Sequence, residues 1–245
     1  MFKINFHLVI YRYEIILALI VLLLTGSIVV SSKDRAKDFA FRDPRYPYKI
    51  ALTFDDGPHP VYTDRLISVL RQNKVPATFF VVGKMALQHP ELVEELSLAG
   101  HEIEVHGFTH TNLTKLSERD VEKELNETRS IIEDITGKKC FFFRPPGGQF
   151  NDKVIKEASL LGEEMVLWSV FPKDHEENDP EIIIQRVMAQ AADGGVVLLH
   201  SGRDPTIAAL PEIIKRLREK GFEFVTVVEL RSSATHSQLA WLKGY

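Results

Sequence analysis

A chain of 245 residues with a single cysteine, Cys140, can form neither an internal disulfide nor a thiolate metal cluster. That cysteine precedes Phe141-Phe142-Phe143 and reads as a buried structural thiol. There is no excess of positive charge. The 30 Lys and Arg residues face 34 Asp and Glu, a net charge of −4, and nucleic acid is therefore not an expected partner. Repeats and low-complexity tracts are missing too. Long apolar runs are scarce: the one of note is Ile15 to Val30, "IILALIVLLLTGSIVV", sixteen residues without a charge. A membrane span takes about 17–25 apolar residues, so this run sits at the lower limit. It reads as an uncleaved anchor, with a removable signal as the alternative and Val29-Val30-Ser31 as a tolerable cleavage site. Basic residues lie on both sides (Lys3 and Arg12 before, Lys33, Arg35 and Lys37 after), so orientation is set only weakly by charge. In either case the rest of the chain is expected outside the membrane.

What is present is a rhythm. Residues 1–31 form the anchor or signal, 32–48 a charged linker with two prolines, 49–231 the body, and 232–245 a polar tail. In the body, β-like runs at 49–54, 77–82, 101–105, 140–144, 165–170, 195–200 and 222–227 alternate with helical patterns near 62–73, 88–99, 117–136, 151–161, 180–193 and 206–220. Ser117 followed by Asp120 opens the longest of these helices like a capping box. Seven strands separated by helices predict an α/β fold with a parallel sheet, a barrel or an open doubly wound sheet.

In such folds chemistry gathers at the carboxyl ends of the strands. The polar residues there are Asp55 and Asp56 after the first strand, His106 and His110 after the third, and Arg144 with Pro145-Pro146-Gly147-Gly148 after the fourth. Asp174 follows the fifth and His200 closes the sixth. The spacing of "HGFTH" predicts His106 and His110 one helical turn apart, facing one point. Two histidines and an aspartate make a catalytic metal site with positions left open for water and substrate. Zinc is the default ion, and Co, Ni, Mn or Fe are compatible. One of the adjacent aspartates serves as ligand and the other as general base beside the cation. Alone, "DDGP" is also a common capped turn.

"TFDDGP", "HGFTH", "RPPGG" and "LLH", in this order on successive strands, resemble the polysaccharide deacetylase family with the NodB homology domain (carbohydrate esterase family 4). The likeness covers roughly residues 48–230. It implies a distorted (β/α)7 barrel and metal-dependent hydrolysis of the acetamide of N-acetylhexosamine residues in a glycan. Peptidoglycan is the favoured substrate and chitin-like oligomers come second. By position it implies Asp55 as base, Asp56, His106 and His110 as metal ligands, and His200 as general acid supported by Asp174. Arg144 would hold Asp55 by a charge-assisted hydrogen bond, Pro145 and Leu198 would line the substrate pocket, and the metal together with a backbone N–H near Tyr62 or of a neighbouring loop residue would meet the oxyanion. The resemblance calls for no organic cofactor, and nothing in the sequence sets an oligomeric state.

Two positions depart from the family pattern. Gly107 replaces the usual Ser or Thr after the first histidine, and His175 stands where a tryptophan usually follows the aspartate. Trp168 is expected in the core, and His59, His89 and His101 are expected to be solvated. Competing functions on the same residues are an O-acetyl polysaccharide esterase and a non-catalytic glycan-binding wall protein.

Overall fold

The computed structural model describes residues 48–233. The expected anchor, nearly all of the linker and the end of the tail lie outside the described residues. Among the described residues no helix is long and apolar enough to cross a membrane.

Seven strands form one parallel sheet: β1 (Tyr48–Asp55), β2 (Thr78–Val81), β3 (Glu102–Val105), β4 (Phe142–Phe143), β5 (Glu164–Met165), β6 (Gly195–His200) and β7 (Phe222–Phe224). Their order is β5-β4-β3-β2-β1-β6, and β7 pairs with the first three residues of β1. The chain beyond β5 returns to β6 through a bridge between Val170 and Val197, which curls the sheet into the distorted (β/α)7 barrel. Among the described residues eight helices accompany the strands: α1 (Thr63–Gln72), α2 (Gly83–Gln88), α3 (Pro90–Leu98), α4 (Glu118–Thr136), α5 (Asp152–Leu160), α6 (Pro180–Gln190), α7 (Asp204–Glu219) and α8 (Val227–Ser233).

The strands alternate as the pleat requires. Ile50, Leu52 and Phe54 of β1 face outward and join Leu66, Leu70, Leu210 and Ile213 of the helices in the main core. Burying each large side chain of this kind contributes roughly 1.5–3 kcal/mol. Facing the barrel axis, Ala51 meets Phe80, Phe142, Val166 and Val196, and α8 closes that end by adding Val227 and Leu230. Beside this plug the axis carries polar side chains. Glu102 caps α8, its carboxylate accepting the N–H groups of Val227 (2.8 Å) and Val228 (3.2 Å). Glu104, 1% exposed, accepts from Phe141 (3.0 Å) and Phe142 (2.9 Å), and burial pushes its carboxyl well above the ordinary range.

The Ser117 cap is in place: its hydroxyl accepts from the Asp120 N–H at 3.2 Å and donates to the Asp120 carboxylate at 2.6 Å. Cys140 is buried as expected. Several expectations give way. The helix expected near 88–99 is α3, but a further short helix, α2, precedes it and meets it at His89-Pro90. The last strand stops at Phe224 because the following residues cap and start α8. His101 is buried (4% exposed) rather than solvated, packing its ring 5.3 Å from that of Phe79 with no hydrogen bond to either nitrogen. Burial pulls its pKa down to about 4, with Arg71 adding to the effect, so the neutral ring is tolerated there. His59 and His89 are half-buried.

Candidate active site

Every strand end named from the sequence opens onto one rim. Asp55 is the last residue of β1, paired in register with His200, the last of β6. Its side chain points along the barrel axis. Alternation would send Asp56 the other way, but Asp56 has φ 74°, a left-handed conformation that aspartate tolerates, and the turn carries its carboxylate back to the same side. Gly57 follows at a close approach: a Cβ there would lie 2.9 Å from the Ser201 hydroxyl, which donates to the Asp55 carbonyl at 2.7 Å.

Asp56 Oδ1 lies 2.9 Å from His110 Nε2 and 3.5 Å from His106 Nε2. The ligand atoms of these three residues all fall within 4.8 Å of one another. His106 is buried, and its Nδ1 pairs with the Arg144 carbonyl at 2.8 Å. That bond makes Nδ1 the protonated nitrogen and leaves the Nε2 lone pair free toward the cluster. The set therefore fits a divalent cation with open positions. Burial pushes the Asp56 carboxyl up, yet hydrogen bonds and charge from His106 and His110 outweigh it and hold the group far below the usual range. In return the Asp56 hydrogen bond raises the pKa of His110 against its partial burial.

The two imidazoles do not sit on a helical turn, contrary to the expectation from their spacing. Residues 106–110 form a tight loop with Gly107 at φ 75° and His110 at φ 60°, which brings the rings to 5.1 Å between centroids. The Glu124 carboxylate on α4 holds this loop, accepting the N–H groups of Phe108 (2.7 Å) and Thr109 (2.8 Å). Nothing in the sequence links Glu124 to the loop, since it stands on another element.

Asp55 Oδ2 lies 3.7 Å from His106 Nε2, beside the ligand cluster. Arg144, wholly buried, donates to Asp55 Oδ1 at 2.6 Å. Its other donors reach Thr53 Oγ1 (2.8 Å), the Val166 carbonyl (3.1 Å) and the Leu167 carbonyl (3.0 Å), and its guanidinium lies over the Phe80 ring at 4.1 Å. A planar fork held at four points can place Asp55 with little freedom. Pro145 is buried behind it, its carbonyl accepting from Gly148 at 2.8 Å.

Across the rim, His200 Nδ1 donates to Asp174 Oδ1 at 2.8 Å. Asp174 is fully buried, and its Oδ2 accepts from the His200 N–H (2.8 Å) and the Thr206 hydroxyl (2.7 Å). Burial lowers the pKa of His200, but the Asp174 bond and charge, with Asp55 and Asp56 behind them, raise it overall. Asp174, His175 and His200 also bring ligand atoms within 4.8 Å, but both Asp174 oxygens already accept hydrogen bonds from His200 and Thr206. Leu198, 3% exposed, lies one pleat below His200 on the same face, where it can floor a small apolar pocket.

Trp168 belongs to this rim and not to the core. It is half-buried beyond β5, its ring against Gly148, where a Cβ would approach to 2.6 Å, and 5.8 Å from the Arg144 guanidinium. Trp168, Phe171, His175 and His200 follow one another at 5.5, 5.6 and 5.1 Å between centroids, so an imidazole continues the aromatic edge where the family pattern has an indole. The Tyr62 N–H expected at the oxyanion is occupied, donating to the His59 carbonyl at 3.0 Å. The neighbouring N–H groups of His59 and Val61 are likewise used, by Thr63 Oγ1 and His59 Nδ1.

The comparisons with known proteins agree with this geometry. The profile of the family described as "Polysaccharide deacetylase" matches residues 43–166. A peptidoglycan-N-acetylglucosamine deacetylase of Bacillus cereus is 40% identical over 186 residues, 74% of this chain and 87% of the relative. The peptidoglycan-N-acetylmuramic acid deacetylase PdaC of Bacillus subtilis is 38% identical over 181 residues, 74% of this chain but only 38% of the relative's length. A chitooligosaccharide deacetylase of Sinorhizobium fredii is 36% identical over 187 residues, covering 71% and 87%. The solved structure of the B. subtilis protein superposes with a TM-score of 0.72 over 78% of this chain and 93% of that one. With the motifs, the barrel and the rim in agreement, the chain belongs to the polysaccharide deacetylase family.

Proposed function

We propose that this protein removes the acetyl group from N-acetylhexosamine residues of a glycan, peptidoglycan first and chitin-like oligomers second, releasing acetate. The observation that carries the reading is the convergence of Asp56, His106 and His110 within 4.8 Å, with Asp55 beside them. A divalent cation bound there, zinc being the ion we favour, supplies Lewis-acid polarisation of the acetamide carbonyl and of a water.

The chain's own residues do the rest. Asp55, fixed by Arg144, takes the proton of the attacking water. The acetyl methyl rests on Leu198. His200, its Nδ1–H committed to Asp174 and its pKa raised by the surrounding carboxylates, takes a second proton on Nε2 as the imidazolium and delivers it to the departing amine. Asp174 and Thr206 keep the ring aimed during that transfer. An amine cannot leave without a proton, whereas an alcohol leaves more readily. An acid built this carefully therefore favours the amide over the ester reading. The intact set of base, acid and ligands speaks against a purely binding role.

The names of the B. cereus and B. subtilis relatives support a wall glycan, and they differ in which sugar is deacetylated. We place the domain outside the cell membrane, tethered through Ile15 to Val30, which gives it access to that polymer. The test is mass spectrometry of purified peptidoglycan and chitin oligomers after incubation with metal-loaded protein. Loss of 42 Da per hexosamine is the mass of an acetyl group exchanged for hydrogen. No loss from either polymer, with metal bound, removes the proposal.

A further inference from the structure

The geometry points to Glu124 as the residue that sets the spacing of the two histidine ligands, and so the metal affinity of the site. The inference rests on the metal site of the function proposed above. His106 is fixed from below: it follows β3, is buried, and its Nδ1 is tied to the Arg144 carbonyl. His110 has no such support. It is half-exposed, and its ring is held only by the Nε2 contact to Asp56 and by packing against the His106 ring. Its position depends on the path of the three residues between them.

That path is pinned on two sides. The carbonyls of Gly107 and Phe108 point to the start of α2 and accept from the Gly83 and Lys84 N–H groups, both at 2.9 Å. The opposite edge presents N–H groups, and these converge on one side chain. Glu124 Oε2 takes the N–H of Phe108 and of Thr109 (2.7 and 2.8 Å), while Oε1 takes the Thr109 hydroxyl at 2.7 Å. Glu124 reaches across from the middle of α4, a 19-residue helix whose turn is itself anchored by the Thr128 hydroxyl on the Glu124 carbonyl (2.8 Å). Three charge-assisted bonds from a rigid helix thus hold a five-residue segment containing two left-handed residues, Gly107 and His110. Gly107 fits the same arrangement. A Cβ at that position would stand 3.4 Å from Glu124 Oε2, in contact with the carboxylate. Glu124 touches neither substrate nor ion; it is a positioning residue, acting through His110.

Supporting groups around metal ligands typically govern affinity by about 10–100-fold. The test measures zinc affinity directly, by chelator competition on the metal-stripped full chain, alongside kcat and KM at saturating zinc. Glu124→Ala should weaken zinc at least tenfold, with kcat recovered when zinc is raised and KM for the glycan unchanged. Glu124→Gln should stay within about threefold of the wild type, because its amide oxygen still accepts both N–H groups. A carboxylate acting only through its charge would instead fail in the glutamine variant, and that result overturns the inference. So does an alanine variant that binds zinc like the wild type. Should Glu124→Ala not fold, Glu124→Asp takes its place: one methylene shorter, it cannot span both N–H groups and should weaken zinc by the same margin, unchanged affinity being the contrary result. Failure of the wild type itself to bind zinc would strike the proposed function, not the role of Glu124 within it.

Discussion

Replacing Arg144 by methionine isolates the interaction on which the general base depends. The guanidinium is wholly buried and holds Asp55, Thr53 Oγ1 and two backbone carbonyls. Truncating one member of a buried ion pair costs about 3–5 kcal/mol, chiefly because the remaining charge is left without its partner. The Val166 and Leu167 carbonyls would each lose a donor, at about 1 kcal/mol apiece. Thr53 is less affected, since its hydroxyl still donates to the Val197 carbonyl at 2.7 Å. Together the change amounts to about 5–7 kcal/mol, against a total stability for a domain of about 5–15 kcal/mol. Arg144→Met should therefore be close to unfolding at room temperature. Asp55→Asn should cost much less, because Arg144 keeps three of its four acceptors. The double variant should be more stable than Arg144→Met alone, with a coupling of about 1.5–3 kcal/mol. Urea titrations of the four proteins, read as midpoint and slope, give the cycle directly. Additive losses, or an Arg144→Met variant within about 1 kcal/mol of wild type, would refute the argument that this pair is strongly coupled.

Three further outcomes follow from the same geometry. Asp174→Asn removes the charge that raises the pKa of His200, so the loss of activity as pH rises through that pKa should move to lower pH in a pH–rate profile, with kcat at neutral pH down by about 10²–10⁴. Gly148→Ala places a methyl against the Trp168 ring at a left-handed position (φ 68°) and should raise KM for oligosaccharides more than it lowers kcat. Glu163 is buried with neither carboxylate oxygen hydrogen-bonded, and burial pushes its pKa up to about 8, with Arg129 opposing. The folded chain then holds a proton that the unfolded chain releases, so stability should fall by up to about 1.4 kcal/mol per pH unit between 4.5 and 8. Glu163→Gln should flatten that slope in denaturant titrations across the range.

How much of this was legible from residues alone depended on how local the determinants are. The strand ends were readable because apolar runs stop abruptly at Asp55, His106, Arg144 and His200, and a parallel sheet aligns such stops on one edge. The backbone conformations that aim the side chains were not. Four-residue spacing between His106 and His110 suits a helix, yet the structure uses a loop whose shape is decided by Glu124, fourteen residues beyond His110 and on another element. Trp168 sits in an apolar stretch and carries a core signature; only the absent side chain of Gly148, twenty residues earlier, makes room for it at the rim. The barrel also reverses a familiar signal. Glu102 and Glu104 alternate with Ile103 and Val105, which suggests a solvated face, but the polar side lines the axis, where backbone N–H groups of Phe141, Phe142, Val227 and Val228 receive it. His101 escapes a solvated reading for a related reason, its neutral ring being packed on Phe79 among the outward-facing side chains.

The claim beneath all of this is that one ion, held by Asp56, His106 and His110, is required for acetyl removal while Asp55 does the proton work beside it. Titrating zinc into the metal-stripped protein while following acetate release from peptidoglycan tests it most directly. Release should climb in proportion to zinc and level off at one ion per chain, and Asp55→Asn should bind the same ion while releasing almost nothing. Full release from metal-free protein, or undiminished release by Asp55→Asn, would contradict it.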